Sequence, residues 1–237
     1  MTRAGWRRSR KLLMMVALVA VTLLGSCGEM AMARVSAIRS IHSGVYHNVM
    51  FLGDSLTAGW TNDGAHAFPV LTINGLYAKN AGNGWQQMVK GRTGTQASGA
   101  LLDLQTFGFQ PQNVDLLVVE LGTNDMTHMS AAQFQANYQA LISYLLAGSP
   151  NTLLVCLGPW RSATDNFGYD TEPAYAAVIQ SVCQTSSAGA LYVDLSALYA
   201  NPAYHASSGD TFHPNDDGAQ AIANAIVSAV YPGSGVL

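Results

Sequence analysis

Short apolar runs recur along the chain, each closed by glycine or a polar residue: Asn48 to Gly53, Val114 to Leu121, Thr152 to Leu157 and Ala190 to Asp194. Unbroken hydrophobicity over a short run, without in–out alternation, is the pattern of a strand buried on both faces, as in a parallel sheet. Between the runs the period changes to that of amphipathic helices, at about 97–106, Ser130 to Leu146, Pro173 to Ser186 and Asn215 to Val230. Ser130 with Gln133 predicts a capping box at the start of the second of these, and Gly148-Ser149-Pro150 predicts its end. Strands alternating with helices predict βαβ units and a parallel sheet covered on both sides. The segment 60–95, rich in Gly and Asn, carries no such run, and its pattern places no second strand. No internal repeat and no linker follows residue 47, so residues 48–237 read as one domain.

The N-terminal segment follows another rule. Five basic residues (Arg3, Arg7, Arg8, Arg10 and Lys11) precede Leu12 to Leu24, thirteen residues that are apolar except for Thr22. A membrane span needs roughly 20 apolar residues, so this run matches the hydrophobic region of a secretory signal peptide, residues 1–27. Leu24-Gly25-Ser26-Cys27 resembles the lipobox of bacterial lipoproteins, in which the cysteine is acylated and becomes the new N-terminus. Cleavage after Ala31-Met32-Ala33 also fits a small-x-small site. Residues 28–47, small and polar, read as a tether. The expected location is extracytoplasmic, either secreted or held to a membrane only through lipid on Cys27.

Composition narrows the class. Hydrophobic residues make up 49% and charged residues 11%, which excludes disorder. The net charge of −3 combines a leader of five basic groups with a remainder carrying six basic and fourteen acidic groups. The mature chain is therefore acidic and excludes a nucleic-acid partner. Three cysteines are too few for a disulfide scaffold or a four-thiolate zinc site. Cys156 and Cys183 suit either a disulfide or buried free thiols, and free thiols are the expectation.

Candidate chemistry sits just after the predicted strands, where parallel α/β sheets place their sites. Gly53-Asp54-Ser55-Leu56 follows the first strand and exposes a hydroxyl at a sharp turn. Gly122-Thr123-Asn124-Asp125 follows another and supplies a carboxamide donor. Asp210-Thr211-Phe212-His213-Pro214 precedes the last helix, with a carboxylate three residues before an imidazole. Each alone could be a turn or a helix cap. Together they supply a nucleophile, a donor, and a base with its orienting acid, the parts of acyl transfer.

These blocks resemble the SGNH/GDSL hydrolase family across residues 48–231. The resemblance implies a three-layer α/β/α sandwich with a mostly parallel sheet of about five strands, flavodoxin-like in order. It also implies hydrolysis of esters or thioesters with no cofactor and no metal. By the same resemblance Ser55 is the nucleophile, His213 the base and Asp210 its partner, while Ser55, Gly94 and Asn124 form the oxyanion hole. The family's second block is the least clear. Gly91-Arg92-Thr93-Gly94-Thr95 is the chosen match, and Asn80-Ala81-Gly82-Asn83-Gly84 is the alternative. Trp60, His128 and Trp160, which follow the motif-bearing strands, are candidate pocket-lining residues, with plain packing an equal reading for the tryptophans. Asp54 and Asp125 read as caps of backbone amides, and Glu120, inside an apolar strand, needs a partner that the sequence does not identify.

Rival readings are a metal-dependent hydrolase using His205, Asp210 and His213, a non-catalytic binding lipoprotein on the same fold, and acyl transfer to a sugar rather than water. The expected partner is a small-molecule, carbohydrate or lipid ester. The lack of an evident lid insertion favours short acyl groups such as acetyl.

Overall fold

The computed structural model describes residues 41, 46–80, 82, 84–187, 189–206 and 210–232. The leader, Cys27 and nearly all of the tether lie outside the described residues. Five strands form one sheet: β1 (Tyr46–Gly53), β2 (Gly84–Gly91), β3 (Leu116–Glu120), β4 (Leu153–Leu157) and β5 (Leu191–Val193). Their spatial order is β2-β1-β3-β4-β5 and every neighbouring pair is parallel. That is the flavodoxin-like order, with its topological switch point between β1 and β3.

Among the described residues seven α-helices accompany the strands: α1 (Ser55–Ala58), α2 (Phe68–Lys79), α3 (Ala97–Thr106), α4 (Ala131–Gly148), α5 (Glu172–Ser186), α6 (Ser196–Tyr199) and α7 (Asp216–Val230). Successive strand residues point to opposite faces, so each strand feeds two cores. Met50 and Leu52, Leu117 and Val119, and Leu154 and Cys156 pack on one side against α3, α4 and α5. Val49 and Phe51, Leu116 and Val118, and Leu153, Val155 and Leu157 pack on the other against α2 and α7. The three-layer α/β/α fold expected from the alternation is the one present.

Helix α7 shows how the sequence sets an element. The Asn215 side chain accepts from the Gly218 amide at 2.9 Å, and Asp216 and Asp217 occupy the positively polarised first turn. Ala219, Ile222, Ala223, Ile226, Val227 and Val230 then form a buried stripe at helical spacing. The Ser130–Gln133 capping box is present at the start of α4.

Two features differ from expectation. The segment 60–95 holds both α2 and β2. Strand β2 lies at the sheet's edge with Gln86, Gln87, Met88, Val89 and Lys90 exposed, so it lacks the apolar run that marks the inner strands. The expectation of free thiols at Cys156 and Cys183 is also corrected: the two are joined in a disulfide, with 6.3 Å between their Cα atoms. Cys156 points inward from β4 and Cys183 inward from α5 into the same buried cluster, which brings the two within bridging range.

Candidate active site

Strand β1 ends at Gly53, where a Cβ would come 2.0 Å from Thr57 Oγ1 and 2.6 Å from the Glu120 carbonyl oxygen. Only a bare backbone permits the turn to close there against the end of β3. Asp54 caps α1, its Oδ1 accepting from the Leu56 amide at 3.0 Å. Ser55 is thereby presented on the first turn of α1, above the sheet at the switch point.

The loop before α7 brings His213 to it. His213 Nε2 lies 2.8 Å from Ser55 Oγ, and His213 Nδ1 lies 2.6 Å from Asp210 Oδ2. The other Asp210 oxygen accepts from the Phe212 amide at 3.0 Å and the His213 amide at 2.9 Å. Burial acts against the Asp210 charge, but the His213 amide and ring and the Phe212 amide together hold its carboxyl below the ordinary value. The loop is pinned at several points. Trp160 Nε1 donates to the Phe212 carbonyl at 2.8 Å, Thr61 Oγ1 to the Pro214 carbonyl at 2.6 Å, and the Ala206 amide to the His213 carbonyl at 2.9 Å.

Asn124 follows β3 through Gly122, whose φ of 119° favours glycine. Its Nδ2 donates to Asp54 Oδ2 at 2.7 Å and to the Thr95 carbonyl at 3.3 Å. The carboxamide therefore joins the turn that carries Ser55 to the loop that carries Gly94. Gly94, at φ 73°, is exposed on the β2–α3 loop at the same edge of the sheet. Gly84 begins β2, paired with Tyr46, and Gly82 precedes it. At about 3.3 Å per residue both sit roughly 23 Å away at the far end of the strand, so Gly94 is the glycine that accompanies Ser55 and Asn124.

Three buried carboxyls underlie this constellation. Glu120 Oε2 accepts from the Asp54 amide at 3.2 Å and from Thr57 Oγ1 at 3.0 Å, which supplies the partners its sequence context required. Burial and the adjacent Asp54 charge push the Glu120 carboxyl well up. Burial also raises Asp54, to about 6, against the hydrogen bonds that favour its charge. Asp125 accepts from the Ala97 amide at 3.1 Å, tying β3 to α3, and burial raises it likewise to about 6. Both aspartates cap backbone amides, as their positions implied.

The remaining candidates separate. Trp60 is 62% exposed with its ring centroid 6.5 Å from that of His213, at the rim of the site. His128 is exposed one turn beyond Asn124, with Nδ1 2.9 Å from the Asn124 carbonyl. Trp160 is corrected as a lining residue: it is fully buried, its amide donating to Thr123 Oγ1 at 3.0 Å and its ring packing against Tyr199. It supports the His213 loop instead. His205 turns Nε2 to the Tyr199 carbonyl at 2.6 Å, and both His213 ring nitrogens face Ser55 and Asp210. Among the described residues no group of three His, Cys, Asp or Glu side chains is placed to hold a metal ion. The Asp54–Asn124 bond, the Thr123–Trp160 link and the Thr61 contact have no local sequence signal, because their partners are 70, 37 and 153 positions apart.

Comparison with known proteins adds to the geometry. Residues 51–221 match the GDSL-like lipase/acylhydrolase family. No curated protein sequence matches significantly. Among solved structures, a putative GDSL-like lipase from Parabacteroides merdae has a TM-score of 0.63 at 19% identity, covering 79% of this chain and 98% of its own. A variant of Axe2, an acetyl-xylooligosaccharide esterase from Geobacillus, has a TM-score of 0.61 at 18% identity, covering 82% and 98%. The psychrotrophic esterase EstA from Pseudoalteromonas sp., inhibited by monoethylphosphonate, has a TM-score of 0.59 at 16% identity, covering 78% and 97%. At such identities the likeness is one of fold. The match over residues 51–221 is the firmer ground: the chain belongs to the GDSL-like lipase/acylhydrolase family and is a carboxylic ester hydrolase.

Proposed function

We propose that the chain is an extracytoplasmic serine esterase that works through an acyl-enzyme on Ser55 and prefers short acyl groups such as acetyl. The observation that carries this reading is the unbroken hydrogen-bonded line from Asp210 through His213 to Ser55, with steps of 2.6 and 2.8 Å. Ser55 Oγ attacks the ester carbonyl as His213 Nε2 takes its proton, and the imidazolium then protonates the leaving alcohol. Asp210 fixes the tautomer with the proton on Nδ1 and stabilises the charged ring. The amides of Ser55 and Gly94 and the carboxamide of Asn124 receive the oxyanion. Of the two Asn124 contacts, the one to Thr95 at 3.3 Å is the weaker and the one a developing oxyanion would share. Water, activated by His213, then releases the acid.

Location and acyl preference rest on separate support. The basic, apolar leader ending at Cys27 suits export, and the Cys156–Cys183 disulfide suits an oxidising compartment. One structural neighbour acts on acetylated xylooligosaccharides, in keeping with a small acyl group. Hydrolysis of p-nitrophenyl esters of increasing chain length tests the reading. The expected result is a maximum at acetyl or propionyl with full loss in Ser55→Ala; a maximum at long chains, or turnover retained in the variant, would contradict it.

A further inference from the structure

The basic residues among those described are Lys79, Lys90, Arg92 and Arg161, in a chain whose portion after residue 27 carries fourteen acidic groups. Arg92 is paired with Asp103 at 2.9 Å. Arg161 is half-buried, yet no carboxylate among the described residues lies within ion-pair distance of it. A cation taken partly out of water without a counter-ion is costly, and its setting must offset that cost. Here aromatic faces do so: Arg161 Cζ lies 4.2 Å from the centre of the Phe212 ring and 4.6 Å from that of Phe167.

Its position is set from both sides of the site. Arg161 directly follows Trp160, whose amide is bonded to Thr123, the neighbour of Asn124. Phe212, on which it stacks, directly precedes His213, and the two rings meet edge to face at 4.9 Å between centroids. Arg161 thus flanks the space between the oxyanion side and the His213 side of the site. Stacking engages the face of the guanidinium and leaves the donors in its plane. The Tyr199 side chain lies close enough to favour the cation, and the Nε–H is buried with no partner. Packing between two phenylalanines asks for no charge, and the Asp165 and Asp54 carboxylates that favour the cation act on it only from beyond ion-pair distance.

We propose that Arg161 forms an anion-recognising subsite beside Ser55, and that the preferred esters carry a carboxylate near the scissile bond. The inference rests on the Ser55 esterase reading and narrows its substrate class. A planar guanidinium matches a carboxylate through paired N–H donors. In an otherwise acidic molecule it makes the difference between repelling and seating an anionic ester.

The carboxylate could belong to the acyl group or to the alcohol, and matched pairs of probes separate these sources. Para-acetoxybenzoate against its methyl ester places the charge on the leaving group; mono-p-nitrophenyl succinate against its methyl ester places it on the acyl group. In one pair kcat/KM should favour the anionic ester by roughly 10- to 100-fold, mainly through KM, the range of a charge-assisted hydrogen-bonded contact. The preference should shrink with added salt, collapse in Arg161→Met and survive in part in Arg161→Lys, whatever either variant does to turnover of the neutral esters. No anionic preference in either pair, or one that persists in Arg161→Met, would overturn the subsite while leaving the esterase reading in place. Failure to hydrolyse p-nitrophenyl acetate would instead remove the esterase reading, and this inference with it.

Discussion

Asn124 holds Asp54 at 2.7 Å through the same nitrogen that reaches Thr95 at 3.3 Å, so the carboxamide is oriented before any substrate arrives. Preorganised donors of this kind cost no reorientation at the moment of reaction. Asn124→Ala is expected to lower kcat by roughly 10²- to 10³-fold, measured on p-nitrophenyl acetate. Asp125 makes a separate claim about stability. Burial raises its carboxyl from 3.8 to about 6, so the folded state holds this proton more tightly than the unfolded chain does. The stabilising contribution is complete below about pH 4 and is lost as pH rises through about 6. Asp54 acts in the same direction and Asp210, whose carboxyl is lowered, in the opposite one. In Asp125→Asn the carboxamide oxygen still accepts from the Ala97 amide but no longer titrates. Denaturant unfolding between about pH 4 and pH 7 should show a slope of stability against pH that is less negative in the variant, by at most about 1.4 kcal/mol per pH unit. Identical slopes would remove Asp125 from the balance.

At the scale of elements, legibility followed burial. β1, β3, β4 and β5 are walled on both faces, and an apolar run is the only sequence that satisfies such a site, so the pattern revealed them. β2 exposes Gln86 through Lys90, unlike the other edge strand β5, so its composition matches a loop as well as a strand. Ser55 and Asn124 stand at strand ends, where turn chemistry concentrates, and Asp210 and His213 stand together ahead of the last helix; the structure brings the four side chains to one edge. The ambiguity over Gly82, Gly84 and Gly94 came from not knowing where β2 lay. Of the two readings open for Trp160, packing is the one the structure shows, and the sequence could not choose because the indole answers to Phe212 across 52 positions. The disulfide was missed because pairing depends on how α5 settles on β4. It closes a separation of 27 residues, for which the loss is typically about 2–4 kcal/mol. The double variant Cys156→Ser with Cys183→Ser should unfold at correspondingly lower denaturant, and reducing agent should shift the wild type but not the variant.

At the scale of the whole molecule, the first 27 residues carry five basic groups and no acid, and the remainder six basic and fourteen acidic groups. If Cys27 is the lipid acceptor, the full chain expressed in a bacterial host should fractionate with membranes, and Cys27→Ala should release it to the soluble fraction. Equal distribution of both would favour cleavage at Ala33 or elsewhere. The doubly covered sheet gathers the ends of β1, β2, β3 and β4 into one edge, and the loop before α7 lays its imidazole across that edge to Ser55. Everything claimed of this edge depends on Ser55 being the atom that bonds to substrate. The most direct measurement is mass spectrometry of the protein after treatment with a p-nitrophenyl alkylphosphonate, with the adduct mapped by peptide fragmentation. One adduct per chain is expected, on Ser55, formed in step with loss of esterase activity, absent from Ser55→Ala and strongly slowed in His213→Ala. Full inactivation with the adduct on another residue, or undiminished esterase activity once Ser55 is labelled, would contradict it.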